Sequence, residues 1–145
     1  MLTISAMIAM TNRKVVTAMS TYRLAYPRTT DDTGWRVHEA IVYGGSKPAH
    51  VRIRARSDDA DAMAEVACTC TYFTMNLETA LAVQGSAKPV KAGGVMPMKR
   101  NPALKPGLCP HLFVFALNLT KSWAADKAED EKPQASVNPR LRTLK

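Results

Sequence analysis

The sequence holds no apolar run approaching the ~18 residues that a membrane-spanning helix needs, so no segment of it reads as transmembrane. Its start, MLTISAMIAMTNRK, has an apolar stretch with no positive residue ahead of it and no clean small-x-small site behind it. It reads as mature protein rather than as an export signal. Cysteine is scarce, with three in 145 residues. A small, odd number without an export signal argues against a disulfide framework and fits free or metal-bound thiols in a reducing interior. Aromatic residues make up only 6% of the chain, so eight methionines take over part of the filling of the core.

Acidic residues are also short, 12 against 20 Lys and Arg, which leaves a formal net charge of +8. That balance favours an acidic partner, whether nucleic acid, an anionic surface or an acidic protein, and no arginine-rich motif selects among them. Catalytic signatures are missing as well. The pairs Gly44-Gly45 and Gly93-Gly94 neither precede a helix nor end in the Lys-Ser/Thr of a phosphate loop. There is no nucleophile elbow and no paired-carboxylate pattern. Asp58, Asp59 and Asp61 lack the spacing and the following glutamate of a calcium loop and read as a turn. His38 and His50 have no acidic or cysteine partner close in sequence and read as exposed or capping residues. The expectation is therefore a protein that is not an enzyme.

What remains is a chain with enough apolar content, 46%, for one domain around one core. Residues 1–34 read as an N-terminal segment or arm. Ile4, Ile8, Val15 and Met19 sit at helical spacing, while Val16, Ala18, Ser20, Tyr22 and Leu24 alternate, which suggests a helix running into a strand. YPRTTDDTGW, residues 26–35, reads as turn material. Residues 35–123 read as the core domain. WRVHEAIVY is strand-like, GGSKP turns, and HVRIRARS alternates strictly, with Val51, Ile53 and Ala55 inward and Arg52, Arg54 and Arg56 outward. SDDADA turns again, AEVACTC returns as a strand, and TYFTMNLETALAVQG is helical, with Gly85 placed as a C-cap. Residues 86–108 form a proline-stiffened basic loop carrying Lys88, Lys91, Lys99, Arg100 and Lys105 without an acidic residue. CPHLFVFALNLTKSW is a strongly apolar helix, and residues 124–145 read as an extended tail. The arginine row and the loop together make a candidate surface for an acidic partner, against the plainer reading of a solvated strand face.

The cysteines carry the strongest signal. Cys68 and Cys70 are two apart on an expected strand, so both sulfurs face the same way with Cα atoms roughly 6.6 Å apart, suited to converging on one ion. A disulfide between them would distort an extended strand. Pro110 fits the first position of a helix and pushes Cys109 toward the extended conformation of an N-cap, where free N–H groups favour a thiolate. His111 lies in the first turn of the same helix. Cys68, Cys70, Cys109 and His111 thus make a candidate metal site with the soft and borderline ligands that structural zinc prefers, and four protein ligands leave no open catalytic position. Accidental core thiols, and iron or redox chemistry, are the competing readings.

The order of a strand pair, C-x-C and then C-x-H opening a helix resembles the SWIM zinc-binding domain, over about residues 48–120. The 38 residues between Cys70 and Cys109 exceed the usual SWIM spacer. The longer form, with NPALKPGLCPHL, is similar to small zinc-binding proteins encoded in the structural modules of tailed bacteriophages. The resemblance implies an α+β fold, a small antiparallel sheet or hairpin plus helices, stapled by a structural zinc and with extended termini. It implies a non-enzymatic virion component of a neck, tail or baseplate, assembled in the host cytoplasm with other virion proteins in a symmetric assembly. No membrane is expected, and nucleic acid is the less favoured partner. The alternative is a SWIM-type module that binds nucleic acid or a protein through the basic residues.

Overall fold

The computed structural model describes residues 1–45, 47–70, 72–73, 77–87 and 106–130. It is an α+β fold built on one five-stranded antiparallel sheet in the order β1-β5-β4-β3-β2. The strands are β1 (Leu2–Thr3), β2 (Arg23–Asp32), β3 (Trp35–Tyr43), β4 (Ala49–Ala55) and β5 (Met63–Cys68). The helices are α1 (Ile4–Ala9), α2 (Arg13–Ala18), α3 (Glu78–Val83) and α4 (Pro110–Asp130), with a 3-10 turn at Met19–Thr21.

Alternation organises the centre of the sheet. Val51, Ile53 and Ala55 of β4 are buried opposite Ala40 and His38 of β3 and Val66 and Ala64 of β5, whereas Arg52 is exposed on the far face. The buried face receives α4, whose residues His111 to Ala116 are buried in succession. A helix apolar on all sides at one end has to be enclosed, and α4 packs there against strands β2 to β5 and against α1 and α2.

The N-terminal segment is part of this core. β1 pairs with β5 through Leu2↔Ala64 and Thr3↔Met63, and Ile4, Met7 and Val15 are buried. Thr3 caps α1 by accepting the Ala6 N–H at 3.0 Å, a serine/threonine cap at the start of a helix. The helix expected to run into a strand is present as two short helices, the 3-10 turn and then β2. The expected turn over 26–35 contracts to Thr33-Gly34, with φ of 47° and 87°, and the residues before it are strand. Pro27 is tolerated because β2 is an edge strand and pairing is interrupted between Ala25 and Arg28, a bulge at which Tyr26 takes φ 53°.

Two further helix ends are instructive. Gly85, with φ 78°, follows α3 as expected, and its N–H reaches Ala82 O while the Ser86 N–H reaches Leu81 O, a Schellman closure. Ser86 then accepts the Leu2 N–H at 2.7 Å and, through its carbonyl, the Val66 N–H at 2.8 Å. The helix that opens at Pro110 continues past 123 to Asp130, over AADKAED, a stretch rich in good helix formers. The expected tail beyond 130 lies outside the described residues.

Candidate metal centre

β5 ends at Cys68, and the chain then bends through Thr69 to Cys70. Thr69 stays beside the start of β4, donating its N–H to His50 O at 3.2 Å and accepting the His50 N–H on its hydroxyl at 3.0 Å. Cys70 is therefore placed by the bend and not by strand alternation, and it still converges with Cys68. The Phe73 N–H donates to Cys70 Sγ at 3.3 Å.

The second half of the site follows the capping logic of the sequence. α4 begins at Pro110, the Phe113 N–H bonds to Cys109 O at 2.8 Å, and the Leu112 N–H points at Cys109 Sγ at 3.5 Å. Cys109 is thus the N-cap, with its sulfur in the place a capping oxygen takes. Its position is fixed from behind by the Leu108 N–H, which donates to Thr11 Oγ1 at 3.1 Å.

These elements bring the ligand atoms of Cys68, Cys70, Cys109 and His111 within 4.8 Å of one another. Sulfurs bound to one zinc at about 2.3 Å in a tetrahedron stand about 3.8 Å apart, so the cluster is of the size a metal ion needs. Histidine gives an independent sign. His111 Nδ1 is buried and has no hydrogen-bond partner among the described residues, while Nε2 faces Gly44 O at 3.4 Å. An Nε2–H donated to the carbonyl leaves the Nδ1 lone pair free, the arrangement in which a metal-bound imidazole is oriented by an outer partner. A buried, unpaired ring nitrogen is costly unless something binds it. The four residues can hold a metal ion.

Without a metal the three thiols are unequal. Hydrogen bonds from Cys109 and then Cys68 hold Cys70 well below the ordinary thiol value, against burial, with help from the Phe73 N–H. Burial pushes Cys109 up, reinforced by Cys68 and Cys70. At Cys68 the Cys109 hydrogen bond pulls down, but the Cys70 hydrogen bond, burial and the Cys70 charge outweigh it and push the thiol up to about 12. A bound cation would favour the thiolate form of all three.

Two supporting residues were not legible as such. Gly44 reads only as part of a turn, yet a Cβ there would lie 2.4 Å from Tyr22 Cδ2. Tyr22 in turn meets the His111 ring edge-on, with centroids 5.0 Å apart at 89°. The Gly44 carbonyl, the Tyr22 ring and the His111 imidazole form one packed unit, with Gly44 and His111 67 residues apart in sequence, and no local spacing announces it.

The basic residues are distributed differently. Arg54 pairs with Glu65 at 3.1 Å, Arg52 lies 3.8 Å from Glu39, which also takes Arg28, and both Arg54 and Arg56 stack over the Trp35 ring at 4.3 and 4.2 Å. The row faces outward as its alternation implies, and much of its charge is matched within the sheet. Lys88, Lys91, Lys99, Arg100 and Lys105 lie outside the described residues.

One expectation is overturned. His38 is not exposed: it is 2% accessible and bridges Thr29 Oγ1 at 2.8 Å and Asp58 Oδ1 at 2.9 Å. Its place on the inner face of β3, under Trp123 of α4 at a ring separation of 5.3 Å, demands partners for both nitrogens, and the bend after β4 provides the carboxylate. His50 is exposed. Asp59 makes the expected turn, its side chain accepting the Asp61 N–H at 2.9 Å.

The class that fold and site define is an α+β domain with a candidate metal centre of three cysteines and one histidine. Comparison of the chain with protein-family models, with curated proteins and with solved structures gives no match. Among the described residues, no helix is long and apolar enough to cross a membrane.

Proposed function

We propose that the cluster binds one structural zinc ion and that the chain is a non-enzymatic structural component of a bacteriophage virion, in a neck, tail or baseplate assembly. The observation that carries the zinc reading is that four ligand atoms, three cysteine sulfurs and one ring nitrogen of the buried His111, lie within 4.8 Å of one another. Three thiolates and an imidazole are the donor set of structural zinc, and they close its coordination sphere. Zinc there would join the end of β5 to the start of α4, stapling sheet to helix in a small domain that gains much from such a link. Bound this way the ion supplies charge and cross-linking, while substrate activation at the metal would need a ligand to leave.

The virion part rests on the likeness of the C-x-C and NPALKPGLCPHL stretches to small phage zinc-binding proteins. The partners are then other virion proteins, met in the host cytoplasm during assembly. The SWIM-type nucleic-acid reading ranks behind it because the carboxylates of Glu39 and Glu65 and the Trp35 ring already engage Arg52, Arg54 and Arg56.

Elemental analysis of the purified chain tests the metal, with about one zinc per chain expected for a single closed site. Purified particles of the phage that encodes the chain test the role: the protein should be present in fixed stoichiometry. Its absence from particles would sink the virion reading and leave the metal site standing.

A further inference from the structure

The four ligands are not equally enclosed. Cys109 is fully buried, Cys68 is 2% accessible and His111 7%, all within the packing between β5 and α4. Cys70 is the partly exposed member. It lines a cavity of about 420 Å³ together with Tyr22, Lys47, Thr69, Tyr72 and His111. The cavity reaches the cluster beside the bend that follows β5. Polar residues, Lys47 and Thr69, and the two tyrosines are among those that line it.

We infer that Cys70 is a modification site, the point at which hydrogen peroxide reaches the cluster and through which the staple is opened. Thiol oxidation follows thiolate character and access together, and access separates Cys70 from the two sealed sulfurs. The first step forms an S–O bond between the Cys70 thiolate and one peroxide oxygen, breaks the O–O bond and releases hydroxide, giving a sulfenic acid. A second cysteine sulfur of the cluster, within 4.8 Å, then attacks the Cys70 sulfur, forms a disulfide and expels the second hydroxide. Two thiolates are oxidised, the peroxide is reduced to two waters after two protons are taken up, and a metal held there loses two of its four ligands. That last consequence rests on the zinc reading; the order in which the thiols react does not.

The full-length chain is treated with substoichiometric iodoacetamide in one series and hydrogen peroxide in another. Peptide mass spectrometry reads each cysteine, and a chromogenic chelator reads released metal. Cys70 should take up alkyl label at least about 10-fold faster than Cys68 or Cys109, since reaction at a thiol scales with its exposure. Zinc release under peroxide should keep pace with Cys70 oxidation. Cys70→His, which keeps four ligands, should slow that release by about 10-fold. Labelling of Cys68 or Cys109 as fast as Cys70 overturns the inference, as does a Cys70→His chain that loses zinc at the wild-type rate. If the chain holds no metal, the zinc reading falls, and the labelling order of the wild-type protein still decides this one. The same order decides it if Cys70→His does not fold.

Discussion

Leu108 donates its backbone N–H to Thr11 Oγ1 at 3.1 Å, a bond between residues 97 apart in sequence. Thr11 donates its own hydroxyl hydrogen bond to Met7 O at 2.8 Å, so one side chain ties α1 to the residue preceding Cys109. Gly107 completes the contact, since a Cβ there would lie 3.1 Å from Met10 O. Leu108 is 1% accessible, and no water replaces a bond lost there. Thr11→Val keeps the shape of the side chain and leaves the Leu108 N–H buried and unpaired, at a cost of about 1–3 kcal/mol. The urea midpoint should fall accordingly, with most of the loss recovered in Thr11→Ser. An unchanged midpoint in Thr11→Val would show that the N-terminal segment does not brace the metal helix.

Gly44→Ala should strain the turn, where φ is 149°, and weaken metal binding besides. The added Cβ would sit 2.4 Å from the Tyr22 ring, which rests edge-on against His111, and the Gly44 carbonyl is the partner of His111 Nε2. Disturbing an outer partner of a ligating histidine costs about 10–100-fold in metal affinity. At Gly45, with φ 71°, the nearest atom to a new Cβ is Tyr22 Oη at 3.5 Å, so Gly45→Ala strains the turn without pressing on the ring. Competitive chelator titration should separate the two variants. Equal affinities would remove Gly44 and Tyr22 from the site.

Zinc uptake should release protons in a defined number. In the metal-free cluster Cys70 is held low, while Cys68 is pushed up to about 12 and Cys109 is raised by burial. At neutral pH that is one thiolate and two thiols, and binding turns all three into thiolates. About two protons then leave the cysteines per zinc, and affinity drops by about 100-fold for each unit the pH falls while both thiols stay protonated in the free cluster. Calorimetry in buffers of different ionisation enthalpy counts the protons. A count of three would mean that Cys70 is a thiol in the free protein.

Cys109→Ser tests the staple itself. A hydroxyl is a poor zinc ligand, so the variant should lose the metal and much of the stability that metal binding adds, and adding a chelator to the wild type should lower its thermal midpoint to a similar level. A chelator-treated chain that melts with the untreated one would separate metal binding from folding.

What the sequence revealed follows the range of the physics involved. The four members of the cluster were legible because Pro110 fixes Cys109 and His111 locally, and because two cysteines a residue apart share a neighbourhood in almost any extended geometry. The outward row Arg52, Arg54 and Arg56 was legible from a period of two, and Gly85 from its place after an apolar helical pattern. β2 was hidden because Pro27, Asp31 and Asp32 are turn-type residues, and an exposed edge strand with a bulge tolerates them. Gly44 and Tyr22 were hidden because their role exists only once His111 arrives from the far side of the chain. His38 was misread for the same reason, its carboxylate being 20 residues away.

His38 and Asp58 support the last prediction. Asp58 accepts the His38 Nε2–H at 2.9 Å and a fork from Arg36, Nε at 3.3 Å and Nη2 at 3.0 Å. The ring thus bridges Thr29 and Asp58 and ties β2, β3 and the bend after β4 together. Burial raises the Asp58 carboxyl, but the Arg36 and His38 hydrogen bonds and charges more than offset it and hold it below its ordinary 3.8. A carboxylate held low in the fold stabilises it above the unfolded value and loses that contribution as the pH falls through the folded one. Wild type should therefore be more stable than Asp58→Asn at pH 7, and the gap should close on acidification below about 3.8, the unfolded carboxyl value. Urea unfolding of both chains between pH 7 and pH 3 measures this. A gap that stays constant across that range would mean that Asp58 holds His38 by shape alone.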